Sequence, residues 1–171
     1  MVNPLPRRRW LLAALGSTAL LGGCGFKLRG KQNYAFETIA VTPEKGAAVA
    51  SELSRYLGDM VRPVAPPAGG VPPEVIVDIL GETREKVIVA LNASGQVREY
   101  QLRIKVRFRM RTSQGRDLIE PTDILQERDI SFNESAVLAK EAEEVLLYRD
   151  MQSDIVQQLL RRIAAVKSLN P

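Results

Sequence analysis

One stretch decides how this 171-residue chain folds: residues 97–111 read VREYQLRIKVRFRMR, with no break in the pattern. Apolar and polar side chains alternate along it, and a β-strand places successive side chains on opposite faces. The apolar set comprises Tyr100, Leu102, Ile104, Val106, Phe108 and Met110, and the polar set comprises Glu99, Gln101, Arg103, Lys105, Arg107, Arg109 and Arg111. The alternation predicts a long strand with one face for a core and one strongly basic face that needs a partner.

The residues before this strand predict a short strand, a helix and a loop. Residues 34–42 favour a short strand that ends at Pro43. Residues 47–61 carry apolar side chains at helical spacing and polar ones on the opposite side, so they predict an amphipathic helix. Residues 62–73 are rich in proline and glycine and predict a loop. The apolar positions of the helix are Val49, Leu53, Leu57 and Met60.

Two further strands flank the central one. Residues 75–91 predict one long strand or two short ones, interrupted near Gly81, where a bulge is expected. Residues 117–132 predict the other strand, and Pro121 favours an edge position or a bulge there. The turn signals that join these strands to the central one lie at residues 92–95 and 113–116.

The last element is an amphipathic helix that begins near Asn133 or Ser135, either of which can cap it. Its apolar side chains recur at steps of three and four residues. They are Val145, Tyr148, Met151, Ile155, Leu159, Ile163 and Val166. The element order β-α-β-β-β-α predicts an α+β, two-layer sandwich, with two helices packed on one face of a four-stranded, largely antiparallel sheet.

The basic face of the central strand has two interpretations. If both turns close antiparallel hairpins, Asp78 lies beside Arg109, and Glu82 and Asp123 both lie beside Lys105. These pairs favour a solvated ladder of cross-strand charges, each pair contributing roughly 0.2 to 1 kcal/mol. Three cations have no carboxylate opposite them in these registers, namely Arg103, Arg107 and Arg111. The alternative is that these surplus cations contact an anionic lipid or a partner surface.

The N-terminus has the pattern of an export signal. A basic segment at residues 7–9 precedes an apolar run at residues 10–21, and small residues follow. The apolar run is too short to span a membrane as a helix. Leu21-Gly22-Gly23-Cys24 resembles a bacterial lipobox. We therefore expect residues 1–23 to be a lipoprotein signal peptide and residues 24–171 to be a single mature domain.

Cys24 is the only cysteine of the chain, so no intramolecular disulfide is possible. Its position predicts a covalent lipid, with an S-linked diacylglycerol and an N-linked acyl chain. Gly25 follows, rather than the aspartate that retains lipoproteins in the inner membrane, so the outer membrane is the expected destination. Residues 7–11 also resemble a twin-arginine signal, which leaves both export routes open.

Removing the signal leaves a chain of nearly balanced charge with no catalytic residue set. Residues 1–23 hold three of the 24 basic residues and none of the 20 acidic ones, so 21 basic residues remain. An exported protein does not meet nucleic acid, so no such partner is expected for the basic strand. The chain has no histidine and no Gly-rich phosphate loop, which predicts neither enzyme activity nor a metal or cofactor. We expect Glu141, Glu143 and Glu144 to be exposed to solvent near the N-terminus of the last helix, where acidic side chains are favourable.

Three segments, taken in order, resemble one family. Residues 23–29 read GCGFKLR, residues 95–101 read GQVREYQ, and residues 138–140 read LAK. The last segment leads through Glu144, Met151 and Gln158 to Arg161 and Arg162. With the element order, this set resembles the outer-membrane lipopolysaccharide-assembly lipoprotein family, LptE, over nearly the whole mature chain.

The resemblance implies a plug that sits inside the large β-barrel protein LptD and aids its assembly. It also implies lipopolysaccharide binding during delivery to the cell surface, and no enzyme activity. The expected location is the outer membrane, where the lipid-anchored chain faces the periplasm and lies within the barrel lumen.

The same resemblance makes basic residues near the Gly-Gln turn and in the LAK segment the natural candidates for contacts with lipid A phosphates. Lys140 matches the second position directly. At the first position, the residues before Gly95 include no basic side chain where the resemblance leads us to expect one. Arg98, just after the turn, is the candidate to replace it. Arg103 and Arg107, on the basic strand face, complete the candidate set.

Two other functions stay open on the residues alone. The chain could serve another envelope-assembly machine as an outer-membrane lipoprotein subunit, or act as an anchored periplasmic enzyme. Co-purification with a large β-barrel separates the first from the expected function, and turnover of envelope substrates would be needed for the second.

Overall fold

The computed structural model describes residues 33–43 and 45–169 of the chain. Its elements follow the predicted order β-α-β-β-β-α. They are β1 (Ile39–Thr42), α1 (Ala48–Leu57), β2 (Val75–Leu91), β3 (Val97–Thr112), β4 (Asp117–Ser131) and α2 (Val137–Ala164), with 3-10 turns at Gly58–Met60 and Glu134–Ala136. The predicted signal peptide and Cys24 lie outside the described residues.

The four strands form one sheet in the order β1-β2-β3-β4. β1 pairs with β2 in parallel, while the β2–β3 and β3–β4 pairs are antiparallel. Because β1 has only four residues, it covers β2 from Val75 to Asp78 and no further. The predicted α+β fold with two helices on one face of the sheet is confirmed.

The core lies between the sheet and the two helices. The predicted apolar face of the central strand is confirmed, because Leu102, Ile104, Val106, Phe108 and Met110 are fully buried. The helix prediction is confirmed for Met151, Ile155, Leu159 and Ile163, but it is wrong for Val145, which is 67% exposed. Val145 lies in the first half of α2, beyond the part that α1 covers, so no described element buries it.

A bulge in β2 confirms the expectation at Gly81 and overturns one predicted charge pair. Asp78 is opposite Arg109 as expected, but Leu80 has no partner and the register shifts by one residue at Gly81. A shift of one residue moves each following side chain to the other face of the sheet. Glu82 is therefore opposite Val106 rather than Lys105, and its carboxylate accepts a hydrogen bond from the Val49 N–H of α1 at 3.2 Å.

β4 is an edge strand, as Pro121 indicated, and it contains two register shifts near that proline. The tight turn alone would place Asp123 opposite Lys105. The two shifts together move the register by two residues. Asp123 therefore stays on the outer face of the sheet but lies opposite Arg107 instead of Lys105. The prediction that three arginines lack an opposing carboxylate is therefore wrong. The opposing pairs are Arg103 with Glu127, Arg107 with Asp123 and Arg111 with Asp117.

The link from β4 to α2 is a short capped turn. The Asn133 side chain accepts a hydrogen bond from the Ser135 N–H at 3.0 Å, so Asn133 caps the 3-10 turn and α2 begins at Val137. This link returns the chain over the helix side of the sheet at the end formed by the β2–β3 hairpin. None of the helices in the described part of the chain has the length and apolar character needed to cross a membrane.

Candidate functional site

The outer face of the sheet, defined as the face that the helices leave uncovered, carries a cluster around Asp78. The Asp78 carboxylate accepts hydrogen bonds from Arg109 Nε at 2.8 Å and Arg111 Nε at 2.7 Å. The Thr42 hydroxyl of β1 donates a third, at 2.7 Å. Burial acts to raise the pKa of Asp78, but the hydrogen bonds from Arg111, Thr42 and Arg109 outweigh it and hold the pKa below its ordinary value. The cluster thus joins three strands around one ionised carboxylate.

The other cations of the outer face also lie beside carboxylates. Arg103 Nε lies 3.0 Å from Glu127 Oε1, and Lys105 Nζ lies 3.0 Å from Asp123 Oδ2. Arg107 is exposed opposite Asp123, and no ion pair joins it to another residue in the described part of the chain. The outer face is therefore a ladder of balanced charge, as the first interpretation of the basic strand expected, rather than a uniformly basic surface.

A second group of polar side chains lies at the hairpin end of the sheet, on the helix side. Lys140 Nζ donates hydrogen bonds to Ser131 Oγ at 3.0 Å and to Glu143 Oε2 at 2.8 Å. Its side chain is only 23% exposed. Lys140 therefore pairs with a carboxylate three residues on along the same helix.

Glu144 instead pairs with Lys86 of β2, with a distance of 2.6 Å from Lys86 Nζ to Glu144 Oε2. The same ammonium lies 4.4 Å from the centroid of the Tyr100 ring, and Tyr100 meets Phe132 edge-on with 5.4 Å between ring centroids. The hydrogen bond with Glu144 raises the pKa of Lys86 above its ordinary value. Lys86 thus remains charged through the neutral range, and it is held over an aromatic pair.

Lys86 was missed in the sequence because the bulge at Gly81 changes the face on which it lies. The signal was nevertheless present, since Gly81 predicts a bulge and a one-residue shift brings Lys86 to the helix side. Lys86 and Lys140 line one small depression together with Tyr100, Phe132, Val137 and Glu144. We call this depression and its lining residues the two-lysine site.

The structure places the four predicted contact residues in two regions. Arg98 lies in a neighbouring depression with Asn133 and Glu134, and its carbonyl oxygen accepts a hydrogen bond from the Phe132 N–H at 2.8 Å. Lys140 and Arg98 therefore lie on either side of Phe132. Arg103 and Arg107 lie on the outer face of the sheet and do not join them.

The turn beside Arg98 carries no basic side chain, and its own hydrogen bonds hold its backbone in place. Asn92 Oδ1 accepts hydrogen bonds from the backbone N–H groups of Ser94 and Gln96, at 3.0 and 2.9 Å. Gly95 has a φ of 79°, a conformation that glycine adopts without steric cost. The turn thus fixes the end of the hairpin and leaves the cationic character of this region to Arg98, Lys86 and Lys140.

Apolar side chains are exposed around the two-lysine site. Leu138, two residues before Lys140, is 82% exposed, and Ile88, two residues after Lys86, is 52% exposed. Cations beside an exposed apolar surface suit an amphiphilic anion.

No group of His, Cys, Asp or Glu side chains in the described part of the chain could hold a metal ion.

Solved structures of small bacterial lipoproteins share this fold. The uncharacterized lipoprotein B of Nitrosomonas europaea superposes with a TM-score of 0.67 and 37% identity, covering 82% of this chain and 91% of that one. The rare lipoprotein B of Shewanella oneidensis, at 20% identity and a TM-score of 0.59, covers 75% of this chain and 92% of its own and supports the fold alone.

The family follows from the sequence match. The family model LptE, described as lipopolysaccharide-assembly, matches residues 36–163, and the chain belongs to this family. The LPS-assembly lipoprotein LptE of Yersinia enterocolitica is 29% identical, over 94% of this chain and 78% of that protein. The protein is thus an envelope lipoprotein with a role in lipopolysaccharide assembly, and it is not an enzyme.

Proposed function

We propose that the two-lysine site binds a phosphate group of lipopolysaccharide while the chain serves as the plug of the β-barrel LptD and aids the assembly of that barrel. The observation that carries the proposal is the pair Lys86 and Lys140. Both ammonium groups are held in one depression, beside aromatic rings and next to exposed apolar side chains. Two ammonium groups beside apolar side chains suit an amphiphilic anion such as lipid A, although Glu141 and Glu144 also line the depression.

Each lysine of the site already has a carboxylate partner, so a phosphate must compete with Glu143 and Glu144. The Lys140–Glu143 pair lies within one turn of α2, where such a pair contributes only about 0.2 to 0.5 kcal/mol. The Lys86–Glu144 pair joins β2 to α2 and is partly exposed, and exposed ion pairs contribute about 0 to 1 kcal/mol. A phosphate in a partly dehydrated site makes stronger, charge-assisted hydrogen bonds to an ammonium group. We therefore expect phosphate to displace the glutamates and to recruit both lysines.

The outer face of the sheet supports the plug role. Its charge ladder is polar across β2, β3 and β4, and it exposes Lys105 and Arg107 to the surroundings. The interior of a large β-barrel is polar and wet, so a face of balanced charges suits contact with the barrel wall. Arg103 and Arg107 then serve contacts with the barrel rather than with lipid.

The lipid anchor is proposed for Cys24, which would hold the chain at the periplasmic leaflet of the outer membrane. Several acyl chains hold a protein firmly at a bilayer where one chain binds only reversibly. The described domain would then reach the barrel from the membrane surface to which the anchor fixes it.

Lipopolysaccharide binding by Lys140→Asp tests the site. We expect the variant to bind purified lipopolysaccharide more weakly, with a deficit that shrinks as salt screens the contact. Thermal stability should stay within about 1 kcal/mol of wild type, because the pair with Glu143 is partly exposed. Wild-type binding by the folded variant would leave Lys140 only its structural contacts with Ser131 and Glu143 and refute the site.

Lys167→Asp is the matched control. Lys167 is exposed beyond the other end of α2, which carries the chain about 36 Å from Lys140 to Ala164. The control makes the same change of net charge and should bind like wild type.

Co-purification with LptD from detergent-solubilised outer membrane tests the plug role, and recovery with a different envelope complex instead of LptD would contradict it.

A further inference from the structure

The free edge of β2 is the feature of this fold that the proposed lipid site does not use. β1 pairs with β2 only from Val75 to Asp78. From residue 79 to residue 91, no strand in the described part of the chain pairs with β2 on that side. The backbone from Gly81 to Ile88 pairs regularly with β3, so the N–H and C=O groups of alternate residues point to its other edge. The helix layer contacts the backbone of this stretch at Glu85, whose carbonyl oxygen accepts a hydrogen bond from the Tyr148 hydroxyl at 2.8 Å.

The two edges of the sheet differ in how they are protected. β4 carries Pro121 and two register shifts, features that discourage a further strand from pairing. β2 has no proline, and its register shifts lie outside the regular stretch from Gly81 to Ile88. Within that stretch Arg84 and Lys86 contact the helix layer, whereas Glu85 lies on the outer face opposite Arg103. Arg84 Nη2 donates to Gln152 at 2.7 Å, and Lys86 pairs with Glu144. The free edge of β2 is therefore open to an added strand.

The helix layer leaves space above this edge. Residues seven apart on a helix share a face, so Leu138 and Val145 lie on the face of α2 that carries Gln152. Gln152 donates to Glu52 of α1 at 2.5 Å, which marks this as the face that α1 covers. α1 does not extend along the first half of α2, where Leu138 and Val145 are 82% and 67% exposed. Ile88 adds an apolar side chain on the same side, because it pairs with the half-buried Tyr100.

We propose that an extended polypeptide segment of the barrel partner adds a strand to the free edge of β2 and packs aliphatic side chains against Val145 and Leu138. The inference rests on the proposed plug function, which supplies the partner. Its chemistry follows from the surface: backbone amides to pair with the edge, and apolar side chains at alternate positions to fill the space beside α2.

A polypeptide fits this surface better than the other possible occupants. A lipid acyl chain would cover Val145 and Leu138, but it has no groups to pair with the amides of the edge. A second copy would satisfy both, but a plug that lies inside a barrel meets the partner's extended segments before it meets another copy. The proposal therefore commits to a segment of the partner.

Hydrogen exchange in the purified complex tests the proposal at the level of the backbone. The alternate amides of residues 81–88 that point away from β3 should exchange at least about tenfold more slowly in the barrel complex than in the isolated protein, because an added strand pairs with them. Amides of β4, at the other edge, should not gain comparable protection.

Two matched variants separate strand addition from simple enclosure by the barrel. Ile88 and Leu125 are both 52% exposed on strands at the two opposite edges. Ile88→Lys should remove the added protection of residues 81–88, because the new charge would be buried without a partner. Leu125→Lys adds the same charge to the outer face on β4 and should leave the added protection of residues 81–88 unchanged, even where it weakens contact of that face with the barrel wall. Val145→Lys, on the helix side of the space, should act like Ile88→Lys without altering any strand.

Four results would overturn the inference. Three come from hydrogen exchange: equal gains in amide protection for β2 and β4, no gain for either strand, and a gain in β2 that survives both Ile88→Lys and Val145→Lys. The fourth comes from a photoreactive residue placed at position 88, if its crosslink joins two copies of this chain. In all four the barrel still co-purifies, so the plug function stands. Failure of the wild-type protein to co-purify with the barrel would instead refute the proposed function on which the inference rests.

Discussion

Replacing Asp78 by asparagine is expected to destabilise the fold more than any other single charge removal on the outer face. The substitution keeps the size of the side chain but removes the charge that binds Arg109 and Arg111 at 2.8 and 2.7 Å. The Asp78 side chain is only 10% exposed, and those of Arg109 and Arg111 are 36% and 23% exposed. The cluster therefore lies between a surface ion pair and a buried one.

The expected loss follows from that intermediate position. A hydrogen bond to a charged group contributes about 1.5 to 3 kcal/mol, and breaking a fully buried ion pair costs about 3 to 5 kcal/mol. Both arginines keep some contact with water, so we expect Asp78→Asn to lower the free energy of unfolding by about 2 to 4 kcal/mol near neutral pH. Asp123→Asn removes the exposed pair with Lys105 on the same face and should cost less than about 1 kcal/mol.

The pH dependence of this loss has a definite sign. Because the pKa of Asp78 is lower in the folded state, its contribution is complete above the ordinary carboxyl pKa of about 3.9 and is lost as the pH falls through the folded value. The difference between wild type and Asp78→Asn in urea unfolding should therefore shrink progressively as the pH falls below about 4. Equal losses for Asp78→Asn and Asp123→Asn, or a difference that does not change with pH, would refute the account of this cluster.

Three further predictions concern the core, the anchor and the site. Ile104→Ala should cost about 2 to 5 kcal/mol in a denaturant titration, because Ile104 is fully buried, whereas Arg103→Ala should cost far less; equal losses would contradict the assigned faces. Cys24→Ala should leave the protein unprocessed or released from the membrane, and normal cleavage with continued anchoring, measured by fractionation, would disprove the lipid site. Glu144→Gln should strengthen lipopolysaccharide binding, because it frees Lys86 from its carboxylate; weaker binding by the folded variant would show that Glu144 positions Lys86 instead.

The central strand could be predicted from the sequence because its alternation is strict over the thirteen residues from Glu99 to Arg111. That alternation fixes which side chains are buried, and Leu102 and Ile104 are fully buried as expected. The positions of Gly81 and Pro121 also indicated where the flanking strands depart from regular pairing. Alternation, a bulge glycine and an edge proline depend only on residues that are close in the sequence. They can therefore be recognised without knowing how distant strands pair.

The Asp78–Arg109 pair could be predicted, but the charge pairs beyond the bulge in β2 and the shifts in β4 could not, because they depend on register. One unpaired residue at Leu80 moves Glu82 and Lys86 to the helix side, and the shifts in β4 replace Lys105 by Arg107 opposite Asp123. A bulge can be expected at a glycine without knowing which residue loses its partner. The same uncertainty concealed Lys86, whose partner Glu144 is 58 residues away along the chain.

Crosslinking in the membrane tests lipopolysaccharide binding at the two-lysine site most directly. A photoreactive phenylalanine analogue at Phe132 would preserve the aromatic contact with Tyr100 and lie between Lys140 and Arg98. The same analogue at Leu125, exposed on the outer face, is the control. We predict a lipopolysaccharide adduct from position 132 that is lost with Lys140→Asp, and little or none from position 125. An adduct from position 125 and none from position 132 would contradict the site.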